Sequence, residues 1–277
     1  MKTIELPCGE SVSAIGQGTW YLGDDPASRN TEIAALQAGI DHGMTLVDTA
    51  EMYGGGRSEQ LVGEAIAGRR DDVFLVSKVL PSNASTRKTI AACEASLERL
   101  GTDRLDLYLL HWQGSAPYRE TLAAFEQLKA DGKIRHYGIS NLDLDATRAF
   151  VDTPGGEAIQ TNQLLFNLNQ RGIEWDLLPW LQDKAIATMA YSPFDGGSLT
   201  SHTGLAEFAA QRDMSAGQAA LAWLSSHDRV IPIPKSARAE RVAENAAAGN
   251  IELTAADRTE LDRLFAPPGG PSPLQIY

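Results

Sequence analysis

In the segment TLVDTAEMYGGGRSE, residues 45–59, a short apolar run reaches a carboxylate at Asp48 and a phenol at Tyr53 before three glycines release the chain toward Ser58. The run Thr45-Leu46-Val47 is strand-like, the glycines are turn-like and Ser58 is a candidate helix cap, so the segment predicts a strand, a loop and a helix start. The same unit recurs along the chain. Short strands are predicted at Val73–Lys78, Leu105–Leu110, Ile134–Ser140, Ala158–Asn162, Ile186–Ala190 and Val230–Ile233, with one more near Gln17–Thr19. Between them lie segments with apolar residues at helical spacing, among them RKTIAACEASLERLG (87–101), YRETLAAFEQLKADG (118–132) and SAGQAALAWLSSH (215–227). Gly101 and Gly132 are expected helix stops, and Ser215 a second candidate cap.

Eight strands alternating with helices over 277 residues fit an α/β fold of the closed parallel (β/α)8 TIM-barrel type better than an open doubly wound sheet. Residues 4–20, IELPCGESVSAIGQGTW, alternate around a Cys-Gly-Glu turn and predict an N-terminal β-hairpin leading into the first barrel strand. No linker or composition shift divides the chain, so residues 1–277 are expected to form a single domain. The short C-terminal tail APPGGPSPLQIY, 266–277, is expected to lie as a loop over one end of the barrel or to be partly disordered.

Composition narrows the function classes. No apolar run approaches the ~18 residues of a membrane span, and the amino terminus lacks a basic segment followed by a long apolar run, so no membrane contact and a cytoplasmic setting are expected. Cys8 and Cys93 offer no paired spacing, and His42, His111, His136, His202 and His227 no ligand spacing, so neither a disulfide framework nor a metal site is expected. Acidic residues outnumber basic ones by 36 to 24, a net charge of −12, which argues against a nucleic-acid partner. A monomer or weak oligomer is expected.

Active sites of such barrels sit at the carboxyl ends of the strands. The residues at those ends are Trp20, Asp48, Lys78, His111, Ser140 with Asn141, Gln163, Tyr191 and Lys235. Singly, each admits a plainer account: Asp48 with Lys78 a structural ion pair, His111 a core histidine, Trp112 core filling, Ser140-Asn141 a turn or cap. Together they converge on one mouth.

On these segments the whole chain resembles the aldo-keto reductase family. DTAEMYG, VSKV and DLYLLHW are similar to its catalytic segments, and YGISN, TNQ, AYSP and IPKS, within IPIPKSARAERVAEN, to its cofactor-binding segments. The opening GQGTWYLGDD, the AEMYGG context and the short tail resemble bacterial reductases of methylglyoxal and other small aldehydes. The resemblance implies reduction of a small-molecule carbonyl substrate with NADPH, with Asp48, Tyr53, Lys78 and His111 as the catalytic set.

The chemistry is consistent with those residue types. Hydride delivery to a carbonyl builds charge on its oxygen, which needs a proton donor. Tyr53 is the expected donor, Lys78 the cation that favours its phenolate, Asp48 the group that holds Lys78 charged, and His111 a hydrogen-bond donor that orients the carbonyl. No G-x-G-x-x-G or G-x-x-x-x-G-K-[ST] pattern is present. Instead Lys235, Arg238 and Arg241 form a basic run that opens a helix after the last strand, a location where barrels commonly bind phosphate.

By resemblance, Lys235, Ser236 and Arg241 meet the adenosine 2'-phosphate, Arg238 adds a further contact, and Glu244 and Asn245 lie against the adenine. Tyr191 stacks on the nicotinamide, while Ser140, Asn141 and Gln163 bond its carboxamide. Gly18, Thr19, Trp20, Ser192, Pro193 and Leu199 complete the cofactor set. The loop SPFDGGSL, 192–199, departs from the family's Leu-Gly after Ser-Pro, and Asp195 is unfavourable near pyrophosphate unless it turns outward. Trp20 and Trp112, with Tyr53 and His111, are expected to form the substrate walls or to fill the mouth. Two rivals stand beside this reading: a non-catalytic NADPH-binding regulatory subunit on the same fold, and a Schiff-base aldolase using Lys78.

Overall fold

Parallel neighbours in a sheet need a crossover between them, and the alternation of strand and helix supplies one at every step. In the computed structural model, which describes residues 1–277, strands β1 (Thr3–Glu5) and β2 (Ser11–Ser13) pair antiparallel as the expected hairpin, with Ile4 opposite Val12. The next eight strands are β3 (Gln17–Gly18), β4 (Leu46–Asp48), β5 (Phe74–Val79), β6 (Leu105–Leu110), β7 (Ile134–Ser140), β8 (Thr161–Leu165), β9 (Ala187–Tyr191) and β10 (Val230–Pro232). They lie in one sheet in chain order, each parallel to the next.

The sheet closes on itself where β10 returns to β3. Gly16 N donates to the Pro232 carbonyl at 2.9 Å and Gly18 N to the Pro234 carbonyl at 3.0 Å. Residues 232 and 234 face β3, while Ile233 N bonds the Ala190 carbonyl on the other side. A proline there cannot return a hydrogen bond, so the seam is held by bonds donated in one direction only. A side chain at Gly18 would set its Cβ 2.7 Å from the Ile233 carbonyl oxygen, so the close approach at this seam requires glycine.

Helices α1 (Arg29–Asp41), α2 (Arg57–Ala65), α3 (Thr86–Leu100), α4 (Tyr118–Ala130), α5 (Leu144–Val151) and α6 (Leu177–Asp183) fill successive crossovers. Two helices, α7 (Thr203–Ala210) and α8 (Ala216–Ser225), fill the crossover from β9 to β10. Helices α9 (Ala239–Ala248) and α10 (Ala255–Leu264) follow the last strand. None of them is long and apolar enough to cross a membrane.

Because successive strand residues point to opposite faces, each strand contributes to two apolar layers. Val47, Leu75, Tyr108 and Leu110 join the large cluster under the helices, whereas Leu46, Val76, Leu107, Leu109 and Met189 fill the barrel. Leu6 and Val12 of the hairpin belong to the inner cluster, and Ser13 Oγ accepts from Leu46 N at 3.1 Å. The hairpin therefore plugs the end at which the strands begin, leaving the carboxyl ends as the open mouth.

Local signals behave unevenly. Ser215 caps α8 in a reciprocal box with Gln218, and Gly101 ends α3 in the left-handed region at φ 62°. Ser58 is not a cap. Helix α2 begins one residue earlier, and the buried Ser58 hydroxyl donates to the Thr19 carbonyl at 3.0 Å, tying the helix start to the end of β3. The strand expected at Ala158–Asn162 is displaced to Thr161–Leu165, because Gly156–Ala158 is a 3-10 turn.

Candidate active site

Strand β4 ends on Asp48, and the chain then makes a tight turn through Tyr53–Gly56, with Gly54, Gly55 and Gly56 at φ 57°, 63° and 94°. Those left-handed angles admit glycine cheaply, and they fold Tyr53 back over the strand ends. Lys78 arrives from the next strand, one residue before β5 ends.

The Lys78 ammonium donates to Asp48 Oδ2 at 2.7 Å, to the Thr49 carbonyl at 2.9 Å and to the Tyr53 hydroxyl at 3.1 Å. Its three N–H groups are thus all used. The other Asp48 oxygen accepts from Gln163 Nε2 at 2.7 Å. The Lys78 and Asp48 side chains are 0% and 2% exposed, so this is a buried ion pair held by neighbours from β4, β5 and β8.

Burial and charge compete in setting these groups. Burial disfavours the Lys78 ammonium, but Asp48 and the Tyr53 phenol together outweigh it and hold lysine above its ordinary value. Burial pushes the Asp48 carboxyl up while Lys78 pulls it back. For Tyr53 the expected lowering by Lys78 is overridden: burial raises the phenol above its ordinary value, the ammonium offsetting only part of that. The phenol therefore keeps its proton.

His111 follows β6, and its ring lies edge-on to Tyr53 with centroids 5.9 Å apart. Burial, and then the nearby Lys78 charge, push its imidazolium pKa down to about 2, so the ring is neutral. Its Nδ1 is buried without a hydrogen-bond partner. With no acceptor there, the ring proton is assigned to Nε2.

Asp48, Tyr53 and His111 line the floor of a cleft of about 900 Å³ at the strand carboxyl ends, with Lys78 buried beneath them. Trp20, stacked on Tyr21 at 4.6 Å, and Trp112, 4.7 Å from His111, stand at one side. Gly18, Thr19, Asn141, Gln163, Tyr191, Ser192 and Pro193 line the middle. Asn141 takes up the left-handed region at φ 56°, and its side chain accepts from the Tyr191 hydroxyl at 2.9 Å and donates to the His111 carbonyl at 3.1 Å. Ser140 sits buried behind it, donating to the Gln163 carbonyl at 2.9 Å.

The far end of the cleft is lined by Lys235, Ser236, Arg238, Arg241, Glu244 and Asn245, where α9 begins. The ion pairs of the chain, from Lys2–Glu252 to Arg229–Asp228, leave these three cations unpaired. On a chain of net charge −12, unpaired cations gathered at one cleft suit an anionic ligand group.

Two residues of the loop after β9 keep their side chains out of the cleft lining. Leu199 is fully buried in the helix-side core, so its side chain is turned away from the cleft. Asp195 turns its carboxylate to Asn169 and Ser198, at 2.8 and 2.7 Å, and to the Tyr277 hydroxyl. Phe194 lines the cleft beside it. Tyr21, Met52, Ile276 and Tyr277 also line the cleft and were not singled out by sequence. Tyr21 and Met52 adjoin residues that were, whereas the tail residues follow a Pro/Gly-rich stretch with no periodicity to read.

Residues 14–266 match the Aldo/keto reductase family model. The chain is 49% identical over 280 residues to the methylglyoxal reductase of Escherichia coli (strain K12), covering 99% of both chains. It is 32% identical to a glyoxal reductase of Bacillus subtilis (strain 168), over 95% of this chain and 92% of that one. Among solved structures, an aldo/keto reductase from Klebsiella pneumoniae in complex with NADP and acetate superimposes with a TM-score of 0.97 at 47% identity, covering 100% of this chain and 99% of that one. The carboxyl-end cleft, the barrel around it and these likenesses agree: the chain belongs to the aldo/keto reductase family.

Proposed function

We propose that this protein reduces small aldehydes and dicarbonyls, methylglyoxal among them, with NADPH, and that Tyr53 donates the proton. The observation that carries this reading is the buried Lys78 ammonium, 2.7 Å from Asp48 and 3.1 Å from the Tyr53 hydroxyl, beneath the floor of a cleft with three unpaired cations at its far end.

The residues fit the cofactor. Lys235, Ser236 and Arg241, with Arg238 beside them, receive the 2'-phosphate, and Glu244 and Asn245 meet the adenine. Tyr191 offers a flat ring to the nicotinamide, and Ser140, Asn141 and Gln163 bond the carboxamide. Gly18, Thr19, Trp20, Ser192 and Pro193 line the course between. NADPH, when bound, supplies the hydride that reduces the carbonyl carbon.

The neutral His111 ring donates from Nε2 to the substrate oxygen and fixes the carbonyl beneath Trp20 and Trp112. Tyr53 then releases its proton to that oxygen as charge develops there. The resulting phenolate lies against the Lys78 ammonium, which Asp48 has kept charged throughout, so the cation acts when the charge forms rather than before. A lysine held charged is a poor amine nucleophile, which counts against Schiff-base chemistry.

The test follows NADPH absorbance with methylglyoxal and a panel of small aldehydes, for the native protein and for Tyr53→Phe. The variant should bind NADPH with unchanged affinity and lose roughly 10²- to 10⁴-fold in kcat. Unchanged turnover in Tyr53→Phe would remove Tyr53 as the acid, and NADPH binding with no turnover of any aldehyde would favour the regulatory-subunit reading.

A further inference from the structure

We propose that Cys8, Glu10 and His136 form a site for one zinc(II) ion at the hairpin end of the barrel, opposite the cleft. Cys8 and Glu10 flank Gly9 in the turn between β1 and β2, where Gly9 takes φ 83° and its amide bonds the Leu6 carbonyl at 2.8 Å. His136 is the third residue of β7, near the strand's beginning. The Cys8 sulfur lies 3.6 Å from His136 Nε2, and Glu10 Oε2 lies 3.0 Å from the same nitrogen. All three donor atoms fall within 4.8 Å of one another.

The two separations from His136 Nε2 suit a tetrahedral ion. With a zinc–sulfur distance of about 2.3 Å and zinc–nitrogen and zinc–oxygen distances of about 2.0–2.1 Å, sulfur and nitrogen stand about 3.5 Å apart, and nitrogen and oxygen about 3.3 Å apart. Small side-chain rotations would admit the ion without moving the backbone. Without a cation the arrangement is crowded: a ring nitrogen presents one proton or one lone pair in one direction, yet a thiol and a carboxylate both face it.

The surroundings hold two of the three donors in place. Arg135 Nη1 donates to the other Glu10 oxygen at 2.7 Å and to Asp106 at 3.1 Å, which leaves Oε2 aimed at the histidine. Gln160 Oε1 accepts from the Cys8 amide at 2.9 Å and pins the turn. Cys8 is exposed, so the fourth position opens to water. A thiolate, an imidazole and a carboxylate together select a borderline ion such as zinc over magnesium or calcium. As the metal–sulfur bond forms, the thiol proton leaves to solvent. The ion would tie the hairpin plug to β7 and so stabilise the barrel floor.

The test titrates metal-free, full-length protein with cobalt(II) and follows the thiolate-to-cobalt charge-transfer band in the near ultraviolet, then displaces cobalt with zinc(II). The expected result is a band that saturates at one ion per chain and disappears on zinc addition. It should be absent in Cys8→Ser, and affinity in His136→Ala should fall by more than the ~100-fold upper end of outer-shell changes. Zinc should raise the unfolding temperature of the native chain and of neither variant. Circular dichroism of both variants without metal, matching the native chain, controls for folding. No thiolate band, a band that survives in Cys8→Ser, or unchanged affinity in His136→Ala overturns the proposal.

Discussion

Replacing Lys78 with methionine should destabilise the protein strongly at neutral pH and much less in mild acid. Methionine keeps an apolar stem of similar length but removes all three hydrogen bonds made by the ammonium. Asp48 would then keep only the Gln163 amide on Oδ1, with Oδ2 facing the vacated position. A lone carboxylate buried there is driven to protonate, and the cost of protonation caps the penalty. Taking the ordinary aspartate value of 3.8, pH 7 lies 7 − 3.8 = 3.2 pH units above it. At about 1.4 kcal/mol per unit the penalty is about 4 kcal/mol, within the range measured for breaking buried pairs. At pH 5 the interval is 5 − 3.8 = 1.2 units, and the penalty falls to about 1.6 kcal/mol. The sign follows from linkage: the unpaired group has a folded pKa above its unfolded one, so its penalty is absent below the unfolded value and grows as pH rises toward the folded one. Urea unfolding of the native chain, Lys78→Met and the double variant Asp48→Asn/Lys78→Met at both pH values measures this. The single variant's deficit should shrink by more than half at pH 5, while the double variant's deficit stays level. An equal deficit for Lys78→Met at the two pH values would mean that packing, and not the stranded carboxylate, sets the loss.

Two further outcomes follow from the same geometry. Arg241→Ala should weaken NADPH binding by roughly tenfold to a hundredfold while leaving NADH nearly unchanged, the scale of one charge-assisted hydrogen bond; equal loss for both cofactors, read by fluorescence titration, would detach Arg241 from the 2'-phosphate. For His111, with an ordinary value of 6.5 depressed to about 2, the unfolded chain takes up a proton that the folded chain refuses, so stability is lost as pH falls below about 6.5. His111→Gln should therefore flatten the stability profile between pH 6.5 and 4 in urea unfolding, and an unchanged slope would contradict a buried neutral ring.

What the sequence disclosed depended on whether the signal was local. Strands β6 and β7 are found at the predicted positions because their apolar runs are bounded by glycine stops and helical periodicity. Strand β8 lies beyond its predicted position because Thr161, Asn162 and Gln163 are polar, and hydropathy favours the apolar residues before them. They are buried with partners from elsewhere in the chain for two of their amide nitrogens: Asn162 Nδ2 donates to the Leu142 carbonyl at 2.9 Å and Gln163 Nε2 to Asp48 at 2.7 Å. The same limit hid the cluster at the hairpin, whose donors stand 126 and 128 residues from His136. The acid, cation and phenol at the mouth were legible for the opposite reason: in a barrel, position along each strand already says which end a residue occupies.

The loop after β9 illustrates how a charge that looks misplaced in sequence is accommodated by its neighbours. An aspartate at position 195 would repel a diphosphate crossing the cleft if its carboxylate pointed inward. Burial alone would raise its pKa, but hydrogen bonds from Tyr277, Asn169 and Ser198 outweigh that and hold it below the ordinary carboxylate value. The group is therefore anionic, with its carboxylate oxygens engaged by Asn169, Ser198 and Tyr277. Its left-handed backbone at φ 50°, followed by Gly196 and Gly197 at φ 64° and 100°, turns the loop so that the apolar Phe194 ring and the glycine backbone face the cleft instead. The tail is part of that arrangement: Tyr277 bonds Asp195 while its ring stands 6.4 Å from that of Tyr191. A segment with no periodicity thus fixes the orientation of a loop charge, which is why neither could be read from its own stretch of sequence.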